Sequence, residues 1–259
     1  MALPKLNVPT YDLTLPSTGE SLTYRPFLVK EEKILLMATE GDDEQAMTRA
    51  LRQIVTNCVL TEIDIDKLKT YDLEYVFLQL RSKSIGEVSD LRYTCQNNIA
   101  KGKKTEKICG ETISIKLDLS AIEVQKPEGH EPNVPLINNV GLVLKDPEVS
   151  ILTTRSITSL NETSEMFDVI ADCVDYVYDG EQLFKDFKRE EIEEFLGSIT
   201  QKQFEGIKTF FDTLPKLEHQ IELDCSKCKN NTTVMLRGPV SYTHLRAHET
   251  RHDLVCRLL

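Results

Sequence analysis

The sequence predicts an α+β fold in which helical segments are combined with short antiparallel hairpins. Several segments repeat apolar residues at intervals of three and four, which is the pattern of amphipathic helices. Other, shorter segments alternate apolar and polar residues between turn-forming residues, which is the pattern of hairpins. The segments follow one another as hairpin, helices, strands, helices and strands, and this order favours α+β over a parallel α/β sheet.

The N-terminal third is predicted to form one hairpin followed by three helices. The turn Pro16–Gly19 separates two alternating runs, and Gly41-Asp42-Asp43 separates the first two helices. The predicted elements are strands at Tyr11–Leu15 and Ser21–Tyr24, and helices at Val29–Ala38, at Ala46–Cys58 and around Leu73, Val76, Phe77 and Leu80.

The rest of the chain alternates between strand-rich and helix-rich parts. Thr200 to Gln203 has the sequence of a capping box, which marks a helix start. Residues 129–139 are rich in Pro and Asn and are predicted to be a loop or linker. The predicted strands are Val88–Cys95, Thr112–Leu119, Val140–Leu144, His219–Asp224 and Thr232–Leu236, and the predicted helices are Met166–Val177, Ile192–Ile199 and Phe204–Leu214.

Five regions are expected along the chain. They are an N-terminal hairpin with helices (1–87), a β-rich middle with a first cysteine knuckle (88–150), a helical segment (151–215), a second cysteine knuckle (216–238) and a non-native tail (239–259).

Four cysteines are the candidate metal ligands. Cys225 and Cys228 form a C-x-x-C between two strands, and Cys95 and Cys109 also lie between two strands, although Asn98 stands where a strict motif would place its second Cys. Four thiolates on two hairpins predict one structural zinc ion in a closed, zinc-ribbon-like site. Free thiols on surface hairpins are the alternative. A redox pair is disfavoured because the motif joins strands instead of opening a helix.

The remaining chemical signals are weaker. Cys58 and Cys173 fall on apolar helix stripes and are predicted to be buried. Asp64 and Asp66, with Glu62, are predicted to form a solvated turn, not a cation site. The lysines 101, 103, 104 and 107 are assigned to a solvated loop, and a structural or solvent role is expected for His219.

The C-terminal nineteen residues contain the motif H-E-x-x-H, formed by His248, Glu249 and His252. On a helix the two histidines could share zinc, and the glutamate could act as the general base of a peptidase. However, no third ligand follows in the few remaining residues, and the segment from Ser241 resembles a translated sequencing adapter. The expectation is therefore that this tail carries no selected function and that no enzyme is present.

Net charge, motifs and hydropathy limit the classes of partner that are expected. The formal net charge of −11 works against phosphate binding, so nucleic acid is not expected as a partner. No nucleotide-binding or hydrolase motif occurs, and no small-molecule substrate is expected. The N-terminus lacks the apolar core of a secretory signal, and no apolar run would span a membrane. These features predict a protein that stays in the cytoplasm of the cell in which it is made.

Several segments, in order, resemble one known family, the baseplate hub subunit of T-even-type contractile-tailed phages. They are Leu3-Pro4-Lys5-Leu6 with Pro9, Arg25–Lys33, Tyr71–Leu78, Arg81–Gly86, Gln203-Phe204-Glu205 and Phe210–Lys216. The resemblance covers residues 1 to 238. The chain departs from the family in its stretched first knuckle and in its C-terminal tail.

The resemblance implies a structural or assembly protein of the tail hub that binds other hub proteins, has no enzymatic activity and assembles in the host cytoplasm before residing in the virion tail baseplate. Family members with paired cysteines at both strand-turn-strand points strengthen the zinc hypothesis. The alternatives are a zinc-ribbon module that binds nucleic acid or protein, and a zinc peptidase built on the tail motif.

Overall fold

The fold is a mixture of helices and small antiparallel sheets, as the sequence predicts. The structure is a computed structural model that describes residues 7–39, 44–99, 107–154 and 163–237. In these ranges the helices are α1 (Val29–Thr39), α2 (Glu44–Cys58), α3 (Thr70–Ile85), α4 (Val149–Thr154), α5 (Thr163–Cys173), α6 (Arg189–Gly197) and α7 (Gln201–Asp212).

The strands are equally short, and every pair is antiparallel. They are β1 (Tyr11–Thr14), β2 (Ser21–Tyr24), β3 (Val88–Thr94), β4 (Thr112–Asp118), β5 (Val124–Gln125), β6 (Asn133–Ile137), β7 (Val140–Leu144), β8 (Val174–Asp179), β9 (Gln182–Phe184), β10 (Lys216–Asp224) and β11 (Asn231–Arg237). The strand orders are β1-β2, β3-β4, β11-β10-β5 and β6-β7-β8-β9.

The N-terminal hairpin and the first helices enclose the first core. Leu15 and Leu22 of the hairpin, Ile54 of α2 and Phe77 of α3 are almost completely buried in it. The predicted hairpin and the predicted helices α1 to α3 are therefore confirmed. Helix α3 is buried on more than one face, because its Leu78 points away from the first core and packs in a separate apolar cluster.

A buried ion pair stabilises the start of α1. The Glu31 side chain is fully buried, and its Oε1 lies 3.0 Å from Nη2 of Arg25. The backbone N–H of Leu28 donates to the other carboxylate oxygen at 2.9 Å. The N–H of Phe27 donates to the hydroxyl of Ser84 at 2.9 Å, so this segment is tied to the end of α3. Two of the segments that resemble phage hub subunits thus contact each other directly.

The four-stranded sheet and α5 to α7 enclose a second core. Two predictions fail here. Residues 129–139 are not all loop, because β6 forms within them; Pro135 is tolerated there since β6 is an edge strand. The predicted helix ending at Val177 stops at Cys173, and the β-branched and aromatic residues from Val174 onward form β8 instead. The capping box at Thr200 is confirmed, with its hydroxyl accepting from the Gln203 N–H.

A third, smaller core lies where the two remaining hairpins begin. Leu91 and Leu117 from β3 and β4 pack there with Leu217 and Leu236 from β10 and β11, and Leu78 of α3 joins them. Both hairpins run outward from this core. Their far ends meet again through cysteine side chains. The fold therefore carries one pair of ribbons that is fixed at both ends.

In the described ranges, none of the helices has the length and apolar character needed to cross a bilayer. Residues 238–259, with the tail motif at His248, Glu249 and His252, lie outside the described residues, as do Gly41-Asp42-Asp43 and lysines 101, 103 and 104. The division into five regions stays a prediction.

Candidate metal centre

The four predicted cysteines come together in one cluster. The sulfur atoms of Cys95, Cys109, Cys225 and Cys228 all lie within 4.8 Å of one another. Cys95 Sγ lies 3.7 Å from Cys228 Sγ, and Cys109 Sγ lies 3.7 Å from Cys225 Sγ, so each close contact joins one hairpin to the other. These separations are far longer than the sulfur–sulfur bond of a disulfide.

The second knuckle is a tight turn between β10 and β11. The Lys229 N–H donates to the Cys225 carbonyl at 2.9 Å, and the Cys225 N–H donates to the Asn230 carbonyl at 3.0 Å. Lys229 takes a left-handed backbone conformation with φ of 58°. The turn folds the chain back within a few residues and points both thiols at the opposite hairpin.

The first knuckle reaches the same arrangement by strand pairing. The Cys95 N–H donates to the Glu111 carbonyl at 2.8 Å, and the Gly110 N–H donates to the Cys95 carbonyl at 3.0 Å. Asn98 forms a bridge with Ile108 farther out, so the ladder continues beyond the cysteines. The stretched spacing is therefore an extension of the hairpin tip, and it does not separate the two sulfurs.

Most of the cluster is shielded from solvent. Cys95, Cys109 and Cys225 are buried, and Cys228 is partly exposed. The side-chain amide of Asn97 donates to Cys228 Sγ at 3.5 Å, and with the Asn230 N–H it lowers the pKa of this thiol to about 6. A hydrogen bond from the Asn97 backbone N–H lowers the pKa of the Cys95 thiol, but burial and the neighbouring thiols outweigh it and raise this pKa to about 12. Burial also raises the pKa of Cys109.

These distances fit a tetrahedral metal ion. Zinc–sulfur bonds of about 2.3 Å place the corners of a regular tetrahedron roughly 3.8 Å apart, which is close to the two sulfur–sulfur separations of 3.7 Å. Four sulfur ligands suit zinc or iron, and leave no open coordination position for a substrate. The four residues can therefore hold a metal ion in a closed site, and such a site supports the fold instead of performing chemistry.

The weaker signals have structural roles. Asp66 forms a two-point ion pair with Arg52, and the Asp64 carboxylate accepts from the Asp66 N–H at 3.1 Å. Lys107 is exposed, and His219 is only partly buried in β10. Cys58 and Cys173 are completely buried, as predicted. Among the described residues, the four-cysteine cluster is the one group positioned to bind a metal ion.

Sequence reasoning missed a polar cluster around His130. Its Nδ1 lies 3.1 Å from the Thr213 hydroxyl, and its Nε2 lies 3.2 Å from Asp146 Oδ1. The Tyr71 hydroxyl donates to the other oxygen of Asp146 at 2.9 Å. The order hydroxyl, imidazole and carboxylate superficially matches a hydrolase triad. Its partners lie far apart in the sequence, so no local motif could have revealed it.

The directions of the hydrogen bonds indicate a structural role for this cluster. The Thr213 hydroxyl donates to the carbonyl of Thr209 at 2.8 Å, so it must accept from His130. A general base needs the opposite polarity at that nitrogen, with a free acceptor facing the nucleophile. The His130 ring also packs on Phe210 at 4.8 Å between centroids. The cluster therefore links α3, the segment before α4 and the end of α7.

Comparisons with known proteins identify the family of the chain. No curated protein and no solved structure matches this chain. A family model described as T4 bacteriophage base plate protein matches residues 8–242, which include both hairpins and all four clustered cysteines. Because the match spans most of its length, the chain belongs to the family of T4 bacteriophage base plate proteins.

Proposed function

We propose that this chain is a structural or assembly component of the hub of a contractile-tailed phage baseplate, and that it acts by binding other tail proteins. The family match over residues 8–242 carries this proposal. The family supports a structural baseplate component in the virion tail; the position in the hub and assembly in the host cytoplasm are the further steps that we propose.

The surface suits a protein that docks onto neighbours. Large apolar side chains are exposed at several places, including Val29 and Met37 on α1 and Ile137 at the end of β6. Val29 and the exposed Leu36 lie two turns apart on the same face of α1, and exposed apolar groups that share a face favour protein contacts. Two surface concavities hold about 430 and 350 Å³; the first is lined by apolar and polar residues, and the second mostly by aliphatic and aromatic ones. Neither lining brings a nucleophile together with a histidine, which favours a role without catalysis.

The test is an amber mutation in the gene of the phage. Infection of a non-suppressing host is expected to give no infectious particles, and electron microscopy is expected to show that baseplates fail to form. Supplying the full chain from a plasmid should restore both. Normal infectious tails in the absence of the chain would contradict the proposal.

We further propose that the four cysteines hold one structural zinc ion. Cys95 and Cys109 would supply two thiolates from one hairpin, and Cys225 and Cys228 two from the other. When bound, the ion supplies positive charge that lets buried thiols ionise together. The ion would join β3-β4 to β10-β11 at the end where few apolar side chains are available.

Cobalt substitution tests the ligand set. The apoprotein titrated with cobalt is expected to develop the visible absorption of a tetrahedral tetrathiolate site, saturating at one ion per chain. Cys225→Ser should abolish this spectrum, whereas Cys173→Ala, which alters a buried cysteine outside the cluster, should leave it unchanged. An octahedral cobalt spectrum for the unaltered chain would refute the four-sulfur site.

A further inference from the structure

An apolar groove lies between the open edge of the four-stranded sheet and α6. Val177 and Phe184, which are paired across β8 and β9, form one wall, and Phe187, Ile192 and Phe195 form the other. Ile192 is buried and forms the floor where the two walls meet, whereas Phe184 keeps 44% of its surface exposed. The groove holds about 350 Å³ and opens to solvent, so a side chain of another molecule can enter it.

The strand beside this groove is an open edge. All three residues of β9 are exposed, including Leu183 at 55%. In an antiparallel pair, alternate residues direct their N–H and C=O groups away from the partner strand. Register with β8 leaves the backbone groups of Leu183 directed at the open side, because the two-residue turn at Gly180 makes its flanking residues the hydrogen-bonded pair.

The opposite edge of the same sheet is protected. Strand β6 carries Pro135 in its middle, and proline is one of the usual means of blocking an edge strand, because it has no backbone N–H to donate. Strand β9 contains no proline.

Charge defines what this groove can bind. From Asp175 to Phe195 the chain carries eight acidic residues and three basic ones, a net charge of −5 out of −11 for the whole chain. Asp179 and Glu191 line the groove itself. Of the basic residues, Arg189 is engaged by Asp168, Asp172 and Glu193. The rim of the groove therefore carries two acidic side chains and no basic one around an apolar floor.

We propose that this groove and the edge of β9 form a docking site for an extended, basic segment of a partner protein. An apolar side chain of that segment would fill the groove, its lysine or arginine side chains would face the acidic rim, and its backbone would pair with Leu183. The proposal adds the chemistry of one partner to the role in the baseplate, and in that respect it rests on the proposed function.

A peptide experiment tests the chemistry of the site. The probe is a short fluorescent peptide in which lysine alternates with valine or phenylalanine, titrated with the full chain and followed by anisotropy. We expect saturable binding that weakens as salt is added, because the rim contributes through charge. A peptide with glutamate in place of lysine is expected not to bind.

Variants locate the binding. Asp179→Lys and Phe184→Ser, both at exposed positions, are each expected to weaken binding about tenfold or more. Glu222→Lys makes the same charge reversal at an exposed position of β10, away from the groove, and is expected to leave binding unchanged. Circular dichroism and thermal melting confirm that each variant folds. Equal binding to all three variants, or no binding at millimolar peptide, overturns the proposal.

A cross-linking experiment separates this proposal from the role in the baseplate. A photo-crosslinking amino acid replaces Leu183 in the plasmid copy that complements the amber phage. The expected product joins position 183 to a basic, extended segment of one tail protein. Complementation without any such product overturns the docking site and leaves the baseplate role standing. If the amber phage needs no complementation, the baseplate role fails, and the peptide titration alone decides on the groove.

Discussion

The first core and the cysteine cluster stabilise two parts of the same chain by different means. Seventeen buried side chains fill the first core, and they come from β1, β2, α1, α2, α3, the start of α4 and the segments that connect these elements. The cluster at the hairpin ends has three buried cysteines, with Ile99, Ile113 and Cys228 packed against them. Burying apolar area stabilises a fold in proportion to that area, so the cluster alone gains far less.

The two ends of the β3-β4 and β10-β11 ribbons are joined by different means. At their base, the two ribbons are joined by the third core through Leu91, Leu117, Leu217 and Leu236. Among the described residues of their tips there is no apolar cluster of similar size, and the two ribbons meet through four sulfur atoms instead. We therefore expect the first core to be insensitive to metal and the hairpin tips to depend on it, and the following changes test this difference.

The largest expected effect comes from Cys225→Ser. The change removes one of the proposed ligands and leaves three thiols, two of them buried, without their ion. Metal binding in zinc-finger peptides is worth about 10–16 kcal/mol, so hydrogen-exchange protection at the tips of β3-β4 and β10-β11 should fall by at least about 100-fold. Protection in α2 and α3 should stay close to that of the unaltered chain. A uniform loss over the whole chain would break the distinction between the two regions.

Phe77→Ala makes the converse change. Phe77 is almost fully buried in the first core, and its truncation leaves a cavity, so we expect a loss of about 3–5 kcal/mol in the free energy of unfolding. Denaturant titration measures this loss. Leu36→Ala, at a half-exposed position on α1, serves as the control and should cost under about 0.5 kcal/mol. Metal content should be the same in both variants; a loss of metal in Phe77→Ala would show that the regions are coupled.

Glu31→Gln probes the ion pair of the first core through pH. Burial of Glu31 opposes its ionisation, but hydrogen bonds from Arg25 and the Leu28 N–H outweigh burial and lower its pKa below the ordinary value of 4.5. The folded pKa lies below the unfolded one, so this stabilisation is complete above about pH 4.5 and is lost as pH falls through the folded value.

We expect Glu31→Gln to cost about 3 kcal/mol at pH 7, because Arg25 is left without its counter-charge. The cost should shrink near pH 3. Urea titrations of both proteins at the two pH values measure the difference. A cost that grows on acidification would contradict the assignment.

The smallest expected effect is that of Thr200→Ala, at an exposed position where α7, a helix of the second core, begins. The Thr200 side chain caps α7, and the Gln203 carboxamide accepts from the Thr200 N–H at 2.8 Å. Loss of the cap should reduce the free energy of unfolding by about 1 kcal/mol. Thermal melting gives the change, with Thr56→Ala as an exposed helical control. A loss as large as that of Phe77→Ala would mean that the second core depends on this cap.

The sequence predicts the local elements well because periodicity and capping act over a few residues. The hairpin at Tyr11–Tyr24, the stripe of α2 and the cap at Thr200 are each recognisable from adjacent positions. The C-x-x-C at Cys225 is equally local. The pairing of Cys95 with Cys109 could be predicted only because strands were expected on both sides, and those strands hold the two sulfurs together across the irregular spacing.

Features that depend on distant partners were not predictable. Pro135 indicated a loop, and only its position at a sheet edge explains why a strand forms there. Val174 and Val177 continued a helical stripe, yet pairing with β7 favours a strand. Buried Asp72 accepts from the Ser17 N–H at 3.1 Å, and His130 joins Asp146 to Thr213; no spacing along the chain encodes these contacts.

The central structural claim is that a bound metal ion holds the hairpin tips where an apolar core is lacking. It is tested most directly by measuring the metal content of the purified full chain by mass spectrometry. The account predicts close to one zinc ion per chain, released in step with loss of hydrogen-exchange protection at the tips as a chelator is added. A chain that contains no metal and keeps full protection at the tips would contradict it.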